Sequence, residues 1–294
     1  MPELPEVETV RIGLSKYLPG MTVRAVDFDW PKSFPNDLTQ VQRYVIGSTV
    51  TAVKRRAKVL LIELSTNYTL VIHLKMTGQL VYRAGDGERW GAGHPNDSLI
   101  GELPDRSTRV TFDLADGKRT AKLFFNDQRK FGWVKLIPTP EVMEIDFFKR
   151  VGPEPLGPEF TLAEFRKRLA KRVRTTIKAA ILDQSVVAGV GNIYADESLH
   201  MAKIHPSTKV ADVPAVKIKK LHEAIKHFLQ LSIDHGGSSD KNYVDADGNK
   251  GSYLKFAQVF RREGQQCPVC GSVIEKIRVA GRGTHVCPKC QKLI

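Results

Sequence analysis

The chain has 294 residues, of which 41% are hydrophobic, with four cysteines and a net charge of +13. Two domains plus a small module fit that length, and the Lys/Arg excess points to a polyanionic partner. No apolar run approaches the ~20 residues of a membrane helix, and the N-terminus lacks the charged-then-apolar pattern of a secretory signal. The expectation is therefore a cytoplasmic, nucleoid-associated protein, and neither an integral membrane protein nor a disulfide-stapled secreted domain.

Residues 2–19 have helical periodicity, with Leu4, Val7, Val10, Leu14 and Leu18 on one side. Two readings of their start, Pro2-Glu3-Leu4-Pro5-Glu6-Val7-Glu8, stand side by side. Proline suits a first helical turn. Alternatively, the small second residue favours removal of Met1, which leaves Pro2 as a free secondary amine. An α-amino group titrates near pH ~8, against ~10.4 for lysine, so Pro2 is the better nucleophile at neutral pH. The adjacent Glu3 carboxylate could then move protons at the reacting centre.

Residues 20–137 alternate in strand fashion, for example Val23–Trp30, Val59–Leu64, Thr69–Leu74 and Arg109–Leu114, with a hairpin signal at Asp116-Gly117. Short strands separated by turns predict a β-sandwich. The polar stretch 83–106 reads as a long loop. Pro138 to Pro158, including Gly152-Pro-Glu-Pro155, reads as an interdomain hinge. Thr161-Leu-Ala-Glu164 is a capping box that opens a helix. Helical patterns continue to about residue 235, broken at Ala188-Gly-Val-Gly191. Residues Val190-Gly-Asn192-Ile-Tyr194 then begin a helix whose backbone N–H groups favour an anion. Residues 236–252 are rich in Gly, Ser, Asp and Asn. They suit a bland linker or a loop that orders on binding.

Cys267-Pro-Val-Cys270 and Cys287-Pro-Lys-Cys290 make a CxxC–x16–CxxC pattern that uses all four cysteines. Two such pairs suit a single tetrahedral Zn²⁺ site. Positive charge is concentrated near it and in the helical region. Residues 161–180 hold seven Lys/Arg against one Glu, and residues 261–294 hold seven against two.

Six motifs occur in order: PELPEVE at 2–8, RRAK at 55–58, HLKMTGQL at 73–80, GPEPL at 152–156, VGNIYADESL at 190–199 and KIRVAGRGTH at 276–285. On these the chain resembles the bacterial formamidopyrimidine-DNA glycosylases over essentially its full length. The resemblance implies an α+β multidomain fold. An N-terminal helix and β-sandwich would occupy 2–137 and a linker 138–160. A helix–two-turns–helix domain with a mobile loop at 236–252 would occupy 161–260, and a four-cysteine zinc ribbon 261–294.

It also implies removal of oxidised purines from double-stranded DNA by a monomeric enzyme, followed by strand cleavage. Pro2 would attack the sugar, Glu3 would move protons, and Lys58 and Arg282 would complete the catalytic set, with Glu6 in support. Met76, Arg129 and Phe131 would fill the space left by the everted base, with Arg129 reading the opposite cytosine. His73, Lys178, Asn192, Tyr194 and Arg282 would meet DNA phosphates. Cys267, Cys270, Cys287 and Cys290 would hold one structural zinc. Taken alone, the same residues have blander readings: Lys58 as a surface lysine, Met76 and Phe131 as core, His73 as structural and Glu6 as a first-turn acid.

The chain departs from the family pattern in three places. Ser107 stands at about the position of a DNA-contacting histidine, with Arg106 and Arg109 as potential substitutes. The loop motif is Arg129-Lys130-Phe131 where Arg-Arg-Phe is usual. Val173, flanked by Arg172 and Arg174, replaces a basic contact. An oxidised-pyrimidine glycosylase of the same superfamily and a non-catalytic damage-binding protein are the rival readings.

Overall fold

The structure, a computed structural model, describes residues 2–94, 96–238 and 252–293. They divide into two compact units. One runs up to Lys149 and includes the described part of 236–252; the other comprises Arg150–His235 and the residues from Tyr253 onward. Among the described residues no helix is long and apolar enough to cross a membrane.

The first unit opens with helix α1 (Leu4–Tyr17). The expected stripe is there: Leu4, Val7, Val10 and Leu14, with Leu18 just beyond, are essentially inaccessible. Strand β1 (Thr22–Phe28) and the short helix α2 (Leu38–Tyr44) follow. Then come β2 (Val50–Arg56), β3 (Val59–Leu64), β4 (Tyr68–His73), β5 (Gly78–Ala84), β6 (Arg89–Gly93), β7 (Thr108–Ala115), β8 (Thr120–Asp127) and β9 (Trp133–Pro138). They form two antiparallel sheets, ordered β1-β7-β8-β5-β6 and β2-β3-β4-β9. One apolar cluster joins their facing sides, with Leu60, Ile62 and Ile72 from one sheet and Tyr82, Phe112 and Phe125 from the other, which makes the sandwich.

Strand β3 is apolar almost throughout because its other face is covered too. Val59, Leu61 and Val71 pack there against Val142 and Phe148, the latter on helix α3 (Asp146–Arg150).

The stretch 83–106 is not the single long loop expected from its polarity. Strand β5 extends to Ala84, and β6 pairs with it from Gln79↔Gly93 to Arg83↔Arg89. Arg-Trp-Gly-Ala-Gly carries no alternation, so periodicity was silent there. The strand is held by Trp90, whose ring lies so close to Gly13 of α1 that a Cβ at Gly13 would come within 2.0 Å of it.

The second unit contains α4 (Leu162–Leu169), α5 (Ile177–Leu182), α6 (Asn192–Met201) and α7 (Ala215–Asp234), then the hairpin β10 (Glu275–Val279) and β11 (Arg282–Val286). Thr161 caps α4, its hydroxyl accepting from Glu164 N at 3.1 Å. The Glu164 carboxylate bonds Arg168 at 2.7 Å. Helix α7 is amphipathic, burying Ile218, Leu221, Ile225, Phe228 and Leu229. Helix α6 is buried from Tyr194 to His200 and carries several polar groups into the interior.

Candidate functional site

In the first unit the candidate residues lie at the start of α1 and on three turns. Pro2 is buried. Glu3 is the N-cap of α1 and forms a reciprocal capping box with Glu6, in which Glu3 N donates to Glu6 Oε2 at 2.8 Å. The other Glu6 oxygen accepts from Ser238 N and Ser238 Oγ, both at 2.8 Å. Glu6 thus fixes the N-terminal segment and the chain entering 239–251 to one another. This explains why the described part of 236–252 groups with the N-terminal unit rather than with the helices preceding it. The expected mobility of 236–252 concerns residues that lie mostly outside the described ones.

Lys58 sits in the two-residue turn between β2 and β3 and is buried. That turn is tied to α1. Arg55 Nε donates to Glu8 Oε2 at 2.7 Å, and Arg55 Nη1 to Ala57 O at 2.8 Å. Burial raises the Glu8 carboxyl pKa, but hydrogen bonds from Arg11 and Arg55 outweigh that and hold it below its ordinary value. The sequence reading did not assign Glu8 and Arg55. They join the first motif to the second.

His73 ends β4 opposite Val59, next in sequence to Lys58. It is enclosed by Trp133 and Phe147, with ring centroids at 5.8 and 5.7 Å. Burial, then the Lys75 and Lys58 ammonium groups, push its pKa down to about 3. The imidazole is therefore neutral. Its Nδ1 accepts from Lys75 N at 3.0 Å, which leaves the proton on Nε2, a donor suited to an anionic oxygen.

Met76 is half-buried in the turn between β4 and β5, and Arg129 and Phe131 are exposed in the turn between β8 and β9. The Arg129 guanidinium stacks over the Phe131 ring, 4.9 Å from its centroid. Phe131 is 54% exposed, so it is not the core residue that its apolarity alone would suggest. Four of the seven non-glycine residues with positive φ among the described residues, Ala57, Lys75, Lys130 and Ala280, lie in the turns carrying Lys58, Met76, Phe131 and Arg282. Such backbone strain clusters at functional sites.

Ser107 and Arg109 do not replace the missing histidine. Both are buried. Ser107 bonds Asp105, and the Arg109 guanidinium is occupied by Asp29 and the Arg106 and Ser107 carbonyls. Only Arg106 of this turn is exposed. Val173 is 42% exposed, while Arg172 is drawn into a pair with Asp183.

In the second unit two side chains expected at DNA lie in the interior. The Tyr194 side chain is completely buried, its hydroxyl 2.5 Å from Ser232 Oγ, so only its backbone in the first turn of α6 is placed to meet a phosphate. Lys178 is also completely buried. Its ammonium donates to Asp196 Oδ1 at 2.6 Å and Thr284 Oγ1 at 2.7 Å. A lysine needs to bury its charge against a partner, and that partner lies eighteen residues downstream, out of reach of any local pattern.

Asn192 begins α6 behind the cap Gly191, and its Nδ2 donates to Gly283 O at 3.0 Å. Arg282 projects, exposed, from the tip of the β10–β11 hairpin, where Gly281 adopts φ 74°. The N-terminus of α6 and the Arg282 hairpin are thus bonded to each other, and both present groups that attract anions.

Helix α6 carries the rest of the module. Asp196 Oδ2 accepts from His285 N at 2.9 Å. Glu197 accepts from three successive backbone N–H groups, Gln258, Val259 and Phe260, at 2.7–3.0 Å. Burial raises the Glu197 pKa against the pull of those donors. His200 Nε2 lies 3.4 Å from Cys267 Sγ. Sequence reasoning assigned none of these three. The motif spelled out Asp196 and Glu197 within ADES but gave no sign that they face inward, and His200 lies just past its end.

All four cysteines are free thiols rather than disulfides. Cys267 and Cys290 sulfurs are 3.9 Å apart, and Cys270 and Cys287 sulfurs 3.4 Å. Zinc–thiolate bonds of ~2.3 Å in a tetrahedron put sulfurs about 3.8 Å apart. The spacing and the soft donor set of four cysteines therefore fit one structural Zn²⁺, and His200 Nε2 lies within 4.8 Å of the Cys267, Cys287 and Cys290 sulfurs.

A β-sandwich, a helical unit and a four-cysteine ribbon presenting an exposed arginine, on a chain of net charge +13, define a DNA-processing protein. Residues 1–134 match the formamidopyrimidine-DNA glycosylase N-terminal domain, 151–243 the formamidopyrimidine-DNA glycosylase H2TH domain, and 264–293 the zinc finger found in FPG and IleRS. The chain is 40% identical to the formamidopyrimidine-DNA glycosylase of Pelotomaculum thermopropionicum, over all of both chains. It resembles the complex of Lactococcus lactis Fpg with abasic-site DNA, at TM-score 0.85 and 36% identity, covering 99% of both chains. It also resembles MutM bound to carbocyclic 8-oxo-G DNA, at TM-score 0.84 and 35% identity, covering 99% of this chain and 100% of that one. The chain belongs to the formamidopyrimidine-DNA glycosylase family. It is a zinc-containing, DNA-binding glycosylase of DNA repair.

Proposed function

We propose that this chain is a bifunctional glycosylase and AP lyase of base-excision repair. It removes 8-oxoguanine and formamidopyrimidines from duplex DNA and then cleaves the strand by β,δ-elimination. The observation that carries the reading is the N-terminal segment itself. Pro2 and Glu3 precede a helix whose first turn is clamped by Glu6, next to a turn holding Lys58 through the Glu8–Arg55 pair.

The target base is everted from the stack. The Pro2 nitrogen attacks C1′ as the base leaves with a proton; the new ammonium loses its proton, and protonation of O4′ with breakage of the C1′–O4′ bond then opens the sugar and gives an iminium. Glu3 moves protons at the opening sugar, and Lys58 holds phosphate and assists. The iminium acidifies C2′–H. Loss of that proton expels the 3′ phosphate, and a second elimination expels the 5′ phosphate. Met76, Arg129 and Phe131 fill the vacated space. Arg129 offers directed donors to the opposite cytosine.

His73 Nε2–H, Asn192, the start of α6 and Arg282 grip phosphates, which position the protein without reading sequence. Lys178 and Tyr194 act from inside the fold. The four cysteines hold the zinc, with His200 donating to Cys267 Sγ, and the metal serves structure rather than chemistry. We place the catalytic domain at 2–137, the helix–two-turns–helix domain at 161–260 and the ribbon at 261–294, with one copy of the chain acting alone.

The exposed Arg129–Phe131 pair favours the purine branch over the pyrimidine one. Parallel assays on 8-oxoguanine:cytosine and thymine-glycol duplexes test this. The proposal expects excision from the first to dominate, with phosphates left on both sides of the gap. Dominant excision of thymine glycol would replace it.

A further inference from the structure

Asp127, the last residue of β8, is completely buried. Its carboxylate sits among four donors. Oδ1 accepts from Thr77 Oγ1 and, at 3.2 Å, from Arg129 N. Oδ2 accepts from Phe131 N at 2.8 Å and Gly132 N at 2.6 Å. Its own N–H donates to Ser107 O at 2.7 Å. Three turns that are far apart in sequence thus meet on one residue: the Met76 turn, the turn exposing Arg106, and the turn exposing Arg129 and Phe131.

The chemistry of this arrangement is specific. Every hydrogen bond to the carboxylate comes from a donor, so a side chain with two acceptor oxygens satisfies them all. An asparagine would turn an NH₂ toward two of them. Thr77 Oγ1 additionally accepts from Arg129 N at 3.1 Å, closing a ring between the Met76 and Arg129 turns. Gly132 seals the third side, because a Cβ there would come within 2.6 Å of Phe125 Cζ and 3.0 Å of His73 O. What emerges is a rigid buried base beneath an exposed cation-on-aromatic pair. A structural turn would not need so strict a base to hold two side chains in solvent.

We infer that Asp127 is a positioning residue. It locks the Met76, Arg106 and Arg129–Phe131 turns into a single wedge that enters the duplex as one body. The inference rests on the proposed role of Met76, Arg129 and Phe131 as void-filling residues, but not on the chemistry at Pro2.

The test uses the zinc-loaded full chain, an uncleavable tetrahydrofuran abasic analogue and 2-aminopurine opposite it, whose fluorescence reports insertion into the stack. Wild type at saturation changes the fluorescence. Asp127→Asn, still bound and still folded by circular dichroism, loses most of that change. On cleavable 8-oxoguanine duplexes its preference for cytosine over adenine opposite the lesion falls toward one. Loss of charge-assisted hydrogen bonds predicts a drop of at least about tenfold in that preference. Thr77→Val, which removes one donor, falls between the two proteins and guards against simple misfolding.

Insertion and opposite-base preference unchanged in folded Asp127→Asn would overturn the inference. A wild type that excises nothing, yet shows Asp127-dependent insertion, would leave the inference standing and remove the proposed activity instead.

Discussion

Replacing Lys178 with methionine removes one half of a buried ion pair. Both Lys178 and Asp196 are 0% exposed, and their contact is 2.6 Å long. Breaking such a pair costs about 3–5 kcal/mol, because the surviving charge stays buried without its partner. Asp196 keeps two other groups, His285 N at 2.9 Å and His285 Nδ1 at 3.2 Å, which places the expectation at the lower end. About 3 kcal/mol is a large share of the ~5–15 kcal/mol that stabilises a typical protein. At ~2–4 °C per kcal/mol for a chain of this order of size, the melting midpoint falls by roughly 6–12 °C. The assay is thermal unfolding of zinc-loaded protein by circular dichroism, read at the transition of the helical unit. The salt dependence of DNA binding should stay that of wild type, since the Lys178 ammonium faces the interior. The double variant Lys178→Met/Asp196→Leu should melt above the single one, because removing both charges removes the uncompensated one. The reasoning fails if the single variant melts with wild type, or if the double variant is the less stable.

Three further outcomes follow from the same structure. Arg282→Ala removes one exposed cation from the ribbon tip, so binding to abasic-analogue duplex weakens and the slope of log K against log salt falls by about one; an unchanged slope would remove Arg282 from the phosphate contacts. His73 has its pKa pushed down to about 3 in the fold. The unfolded chain therefore takes up a proton first as pH falls through ~6.5, and stability is present above that value and lost below it, by roughly 2 kcal/mol at pH 5. Denaturant titrations of wild type and His73→Gln at pH 7 and 5 should show the variant losing less stability between the two, and parallel losses would contradict this. Chelation of zinc should unfold the ribbon and abolish DNA binding while sparing the sandwich, since metal binding and folding are one equilibrium in such modules; retained binding in fully demetallated protein would refute that.

What could be read from the sequence was what depends on neighbours along the chain. The α1 stripe, the Thr161 cap and the four-cysteine spacing are local patterns, and each is found in the structure. The strand expected at Val59–Leu64 is found at those bounds. What escaped was set by partners distant in sequence. Trp90 makes a strand of a Gly-rich stretch by packing on Gly13. Lys178 and Tyr194 are interior because Asp196, Thr284 and Ser232 receive them, and nothing within a helical turn of either residue announces it. Asp127, Glu8 and the inward face of α6 were missed for the same reason. A carboxylate that organises turns looks, in sequence, like any surface acid.

The same limit applies to the candidate site. Motif order located its residues, but their division of labour came from geometry. His73 is a neutral Nε2 donor because Lys75 N occupies Nδ1. Arg109 is withdrawn from DNA because Asp29 holds it. Phe131 is a surface residue because Asp127 holds its turn outward.

The central claim is that the Pro2 amine is the nucleophile. Its most direct test is borohydride trapping of zinc-loaded protein, with Met1 removal confirmed, on a duplex carrying 8-oxoguanine opposite cytosine, followed by mass mapping of the adduct. The account predicts a single covalent adduct on Pro2, and a cleaved strand when borohydride is omitted. An adduct on a lysine, or none at all, would contradict it.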